Sequence, residues 1–184
     1  MKDTVEKSVA VIKGVLNLKS SVDKIGKLSR VHGRCRINNN GIIEIGNRFC
    51  AYGNPIPVLL TTENKDSNLV IGNDVFLNYG VDIGCMKSIT IGDRVKIGQY
   101  TTIIDSNYHM VDIDDDISGE EINIGNNVWV GIKCTILSGV TIGENSVVAS
   151  GSIVTKDVPK NVLVAGSPAK VIKKLNIPDG WIRK

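Results

Sequence analysis

Aromatic residues make up only 4% of this 184-residue chain, two of them tryptophan and two phenylalanine. A layered core built on large rings is therefore excluded, and the interior must be filled by the abundant Val, Ile and Gly instead. There are two histidines, His32 and His109, far apart in sequence, so a three-histidine metal site cannot form from one loop. The four cysteines (Cys35, Cys50, Cys85, Cys134) contain no CxxC pair, which speaks against a zinc knuckle or a dithiol redox pair. No apolar run reaches the length of a membrane span, and the acidic residues Asp3 and Glu6 sit where a signal peptide would be apolar. These features predict a cytoplasmic protein with free thiols. A net charge of +3 is too small to argue for nucleic acid.

What is present is a period. From Ile124 an aliphatic residue returns at every sixth position: Ile124, Val130, Ile136, Ile142, Val148 and Val154. Two residues before each lies a second inward candidate: Ile122, Val128, Cys134, Val140, Ser146 and Ser152. Six fits neither the 3.6 of a helix nor the 2 of a simple strand. It fits a chain that turns a corner every six residues, so that three short walls close one coil and coils stack. Earlier coils read from Val31 and Ile37, then Ile45, Ala51 and Pro57, then a loop at 61–67, then Ile71, Leu77 and Ile83, then Ile91, Ile97 and Ile103. Gly follows the inward residue at 46, 72, 84, 92, 98, 125, 131 and 143, which predicts corners that use positive φ. The predicted organisation is an N-terminal helical segment over 1–29, a parallel β-helix over 30–160, and a tail over 161–184. Val5, Val9, Ile12 and Leu16 form the helical stripe, expected to cover the open end of the stack. Pro168, after a Gly-Ser turn, predicts a short C-terminal helix that carries Lys170, Lys173 and Lys174.

Residues 105–121 leave the repeat. A long departure from a regular stack costs ordering entropy, so it marks a functional loop. His109 lies within it, with Asp105 and Asp112 near in sequence. A histidine with a carboxylate partner has the chemistry of a general base. The same residues with Asp114 also read as a metal set, or as a solvated acidic loop.

The ordered series Ile124-Gly-Asn-Asn-Val-Trp-Val-Gly131, Ile-Leu-Ser-Gly-Val-Thr-Ile-Gly143, Ala-Ser-Gly-Ser-Ile-Val-Thr-Lys-Asp-Val-Pro159 and Val-Ala-Gly-Ser-Pro-Ala-Lys-Val-Ile172 resembles the hexapeptide-repeat acyltransferases. The branch it resembles is that of galactoside/maltose and bacterial surface-polysaccharide O-acetyltransferases, over residues 69–175 and more weakly over 30–60. The resemblance implies a left-handed parallel β-helix, a homotrimer with active sites between subunits, acetyl-coenzyme A as donor, and no metal. It implies that His109 is the catalytic base and Asp105 its orienting acid, with Asp112 the alternative partner. Asn78, Tyr108 and Asp112 would meet the acceptor. Trp129, Ile132 and Ser150 would line the pantetheine arm, Ile132 and Ser150 through backbone groups. Thr155 and Lys156 follow at the next corner, and Lys170 and Lys173 would face the coenzyme's phosphates. The expected acceptor is a sugar or glycan hydroxyl. An antibiotic, a nucleotide-sugar amine or a non-catalytic zinc-binding scaffold are the alternatives.

Overall fold

The computed structural model describes residues 12, 15, 16, 18–110, 112–114 and 117–183. It is a left-handed parallel β-helix of about seven turns. One wall is a six-stranded parallel sheet: β1 (Lys24–Ile25), β3 (Ile42–Ile45), β5 (Asn68–Ile71), β8 (Ser88–Ile91), β11 (Ile122–Ile124) and β14 (Thr141–Ile142). The second wall runs from the first part of β2 (Arg30–Asn39) and of β4 (Cys50–Thr62) through β6 (Phe76–Leu77), β9 (Lys96–Ile97), β12 (Trp129–Val130) and β15 (Val147–Val148) to β17 (Val162–Gly166). The third wall uses the second part of β2 and of β4, then β7 (Asp82–Cys85), β10 (Thr102–Ile104), β13 (Thr135–Ile136) and β16 (Ile153–Val154).

Inward residues stack in register, the predicted ones joined by Ile25 and Val164: Ile25, Ile45, Ile71, Ile91, Ile124 and Ile142 along the first wall. Val31, Ala51, Leu77, Ile97, Val130, Val148 and Val164 do so along the second. All but Ile25 are buried. A one-residue slip would turn every member of such a column to solvent, so the register is fixed by burial. The inward polar residues sit where the stack runs out. Ser146 Oγ donates to Pro159 O (2.6 Å), and Ser152 Oγ donates to Ala149 O (2.6 Å) and accepts from Gly166 N (3.2 Å). Hydrogen-bonded in this way, buried hydroxyls cost little.

Four expectations are corrected. The solenoid starts at Lys24, ahead of residue 30, because β1 pairs with β3. Val5 and Val9 lie outside the described residues. Residues 12, 15, 16 and 18–21 are helical, and Leu18 is buried in the core. Next, the third wall of the second coil is held by Val58 and Leu60, both buried, and not by Pro57: Leu60 is the residue in register with Ile37 and Ile83. Thr61 and Thr62 remain in the strand. Third, the repeated glycines do not supply positive φ. That conformation falls two residues later, at Arg48, Asp74, Arg94, Asn127 and Asn145. The glycines are needed because the next coil passes directly over them: a Cβ at Gly98 or Gly131 would lie 2.6 Å from the backbone of Gly131 or Ser150. Finally, the C-terminal helix is absent. Residues 169–174 form β18 (Ala169–Lys174), antiparallel to β17. The β-branched pair Val171-Ile172 suits a strand, and the unpaired edge of β17 offers a ladder that a helix would leave empty.

Candidate active site

Two outward columns on the second wall build a groove. The first runs Arg30, Cys50, Phe76, Lys96, Trp129, Val147, Leu163 and Lys173. The second, two residues on in the same registers, runs His32, Tyr52, Asn78, Gly98, Gly131, Ala149 and Ala165, and Ala165 faces Lys170. Small residues make the second column a floor beside the wall raised by Lys96 and Trp129. Asn78, Trp129, Ile132 and Ser150 line one cavity of about 220 Å³ with Lys96 and Gly98. Four residues expected to meet donor or acceptor are thus brought together. The correction from helix to strand also places Lys170 and Lys173 at the upper end of these same columns.

The groove differs from expectation in its hydrogen bonds. Ile132 N donates to Ser150 Oγ (3.3 Å), and Ile132 O accepts from Gly151 N (2.8 Å). Its backbone groups are engaged within the chain, and the corner presents the exposed Ile132 side chain instead. Asn78 Oδ1 accepts from Tyr79 N (2.9 Å), so its carbonyl is engaged by the neighbouring backbone amide.

His109 lies elsewhere, exposed at the edge of a cavity of about 410 Å³ with Ser106, Asn107, Glu120, Ser138 and Thr155. Thr155 belongs to this cavity and not to the groove. Lys156, beside it, is exposed. The two cavities share no lining residue.

Asp105 does not orient His109. Its buried carboxylate accepts from the amides of Met86 (2.6 Å), Lys87 (2.8 Å) and Ser88 (2.9 Å). Its own carbonyl accepts from Glu120 N (2.9 Å) and Ser138 Oγ (2.6 Å). One residue therefore ties the corner between β7 and β8 to both ends of the 105–121 loop. The sequence showed an acid four positions from a histidine; three unpaired amides at a tight corner were the stronger claim on it.

Tyr108 adopts φ +59°, and its amide donates to Ser106 Oγ (3.0 Å). Its ring folds back so that a methyl group at Gly84 would overlap its hydroxyl. Burial, then the negative charges of Glu63, Asp105 and Asp82, push the phenol up to about 12. It stays a neutral donor, half-buried under the loop. Asp112 is exposed, with Oδ1 accepting from Ile113 N (2.6 Å).

Sequence reasoning missed Lys96 and the tail. Asn127 Nδ2 donates to Trp181 O (3.1 Å), and Arg183 N donates to Asn127 Oδ1 (2.9 Å). These bonds hold Trp181, with the Arg183 guanidinium 4.9 Å above its ring, at a second cavity that Trp129 and Lys96 also line. A second tryptophan in so aromatic-poor a chain was the available signal.

Among the described residues no three His, Cys, Asp or Glu side chains converge as a metal site. All four cysteines are free. Burial, reinforced by Asp105, pushes the Cys85 thiol up to about 12, and burial raises Cys134 as well. A protonated thiol is a poor nucleophile. At pH 7.5 we expect Cys85 and Cys134 to react with dithionitrobenzoate only at the rate of unfolding. Rapid labelling of Cys85 would reopen a covalent route.

The family pattern described as bacterial transferase hexapeptide (six repeats) matches residues 121–156. Galactoside O-acetyltransferase of Escherichia coli K12 is 41% identical over 116 residues, which is 61% of this chain and 57% of that protein. WbbJ of the same organism, whose name assigns it to lipopolysaccharide biosynthesis O-acetyl transfer, is 32% identical over 77% of this chain and 76% of its own. The chain spans 54–62% of the length of the first curated relatives it matches. A galactoside acetyltransferase solved with coenzyme A superposes with a TM-score of 0.62 at 30% identity, over 91% of this chain and 76% of that one. A hexapeptide-repeat acetyltransferase of Vibrio cholerae, solved with acetyl-coenzyme A, gives 0.61 at 28% identity over 86% and 74%. With the repeat, the wound fold and relatives of this extent in agreement, the chain belongs to the bacterial transferase hexapeptide family, the hexapeptide-repeat acyltransferases.

Proposed function

We propose that this chain transfers an acetyl group from acetyl-coenzyme A directly to a hydroxyl of a sugar or glycan. The observation that carries the reading is the pair of columns on the second wall. They set a small-residue floor between Trp129 and Ile132, with Asn78 below and Lys170 and Lys173 above. A pantetheine arm needs such a narrow floor, and its nucleotide phosphates need cations at one end. Relatives whose names specify acetyl transfer to galactoside or lipopolysaccharide support the acceptor class.

In this reading the coenzyme lies along the columns with its thioester near Asn78. His109 takes the proton of the acceptor hydroxyl as that oxygen attacks the thioester carbonyl. The tetrahedral intermediate places its negative oxygen near an amide donor, for which Asn78 Nδ2 is the nearest side chain on the floor. Collapse breaks the carbon–sulfur bond, and the imidazolium returns the proton to the departing thiolate. The groove and the His109 cavity occupy different edges of one prism, so a complete site takes its histidine from a neighbouring copy. A homotrimer satisfies this for every site at once. A cytoplasmic location, where the thiols stay reduced, belongs to the same reading.

The test is coenzyme binding with oligomeric state. Coenzyme A at 100 times its Kd is expected to stabilise the fold by about 2.7 kcal/mol, which raises Tm by roughly 5–10 °C. Light scattering should return three times the 19.9 kDa chain mass. Thiol release from acetyl-coenzyme A in the presence of galactosides and surface glycans then identifies the acceptor. No coenzyme response, or a monomer, defeats the proposal.

A further inference from the structure

The groove does not end at Asn78. Below it, toward the first coil, the same two columns continue with Phe76, then Cys50 and Tyr52, then Arg30 and His32. His32 stacks on Tyr52 with ring centroids 4.4 Å apart and 24° between planes, and Tyr52 meets Phe76 at 5.7 Å. Tyr52 is 43% exposed. In a chain so poor in aromatics, three rings converge on one outward face in three successive coils. Packing does not demand this, because the interior behind them is already filled by Val31, Ala51 and Leu77.

The charges point the same way. Arg30 and Arg34 are exposed, and among the described residues neither pairs with a carboxylate. Arg34 Nη2 donates to the Pro55 carbonyl at 3.4 Å. Arg30 lies against Cys50. Arg48, one coil on, shows the contrast: it is spent on Asp74.

We infer that the first three coils form an extended platform for the acceptor, and that this acceptor is a saccharide carrying a negative charge. The inference rests on the reading above that Asn78 marks the point of transfer. Coils are about 4.8 Å apart, so Arg30 and His32 lie roughly 10 Å from Asn78 along the groove. That is room for more than a single sugar ring. The exposed ring of Tyr52, with Phe76 beside it, offers an amphipathic aromatic surface on which the apolar C–H face of a sugar can pack. The guanidinium groups of Arg30 and Arg34 take the anion through paired N–H donors, which a lysine does not offer. A carboxylate on an acidic sugar and the diphosphate of a nucleotide sugar present the same chemistry, and the experiment separates them.

The probes are sialyllactose (a carboxylate), UDP-glucose (a diphosphate) and lactose (neutral), titrated calorimetrically into the full chain saturated with coenzyme A. At least one anionic probe is expected to bind tenfold or more tighter than lactose. Which one does so identifies the source of the charge. Arg30→Gln combined with Arg34→Gln should abolish the preference and leave lactose affinity as it was. Tyr52→Ala should weaken all three probes. Equal affinity for the three, including no measurable binding to any, overturns the inference, as does a preference that survives the double substitution. Coenzyme-induced stabilisation is measured on the same samples. A normal coenzyme response without charge preference sinks this inference alone, whereas no coenzyme response sinks the transferase reading.

Discussion

Replacing His109 with alanine is expected to lower acetyl transfer about 10²–10⁴-fold, with coenzyme-induced stabilisation unchanged. The separation follows from geometry: His109 sits in a cavity that shares no residue with the Trp129 groove. An acetyl acceptor hydroxyl is a weak nucleophile until its proton is removed, so loss of the proposed base should fall on kcat. The substitution is at an exposed position, and the melting temperature should stay within about 2 °C of the parent, as surface changes commonly do. A sharper form of the experiment uses two inactive proteins. If each active site combines the His109 cavity of one copy with the Asn78 groove of another, refolding His109→Ala together with Asn78→Ala should restore part of the activity. Two defects in one subunit's own site would not complement. Near-normal turnover of His109→Ala ends the proposed mechanism, and absence of complementation ends the shared site.

Asp105→Ala should act on a different quantity. Its carboxylate holds three backbone amides at the corner of Met86, Lys87 and Ser88. Removing it strands donors that are partly shielded from water, at a combined cost of about 3 kcal/mol, or roughly 6–12 °C in Tm for a chain of this size. Asp105→Asn keeps the shape and loses most of the acceptor capacity, so it should fall between. The loop's two ends meet at this residue, which predicts that proteolysis within 105–121 accelerates in parallel with the fall in Tm. An acid that merely oriented the histidine would instead reduce kcat at constant Tm. That outcome would restore the simpler dyad and contradict the hydrogen bonding described here.

Most of the fold is legible in the chain because each wall of a coil is six residues long and one residue deep. Val130, Ile136 and Ile142 are recognisable without any knowledge of their partners, since the stack buries the same position in every coil. The glycine pattern was equally visible, yet its reason was not. Gly98 and Gly131 are required by the backbone of the next coil, through contacts with residues 33 and 19 positions away, and a local reading sees only the turn. The tail misled for the same kind of reason: Pro168 and three nearby lysines look like a helix start until β17 presents an open edge.

The site divides likewise. His109 was marked by the break in the repeat, whereas Trp129, Ile132 and Ser150 were named only through the family resemblance. Asp105 was chosen by proximity in sequence, whereas its partners are amides 17 to 19 residues away. Arg30, His32 and Tyr52 carried no local motif at all. They join Asn78 only through registers that thread three coils.

By itself the sequence determined the period, and through it the coil, the inward residues and the single long excursion, because burial repeated every six residues leaves one way to wind the chain. Tertiary structure alone decided which side chains share an outer face and which acid meets which donor. Those choices depend on register between coils some 18 to 33 residues apart, where hydrogen bonds and close backbone passage select partners that no neighbouring residue announces.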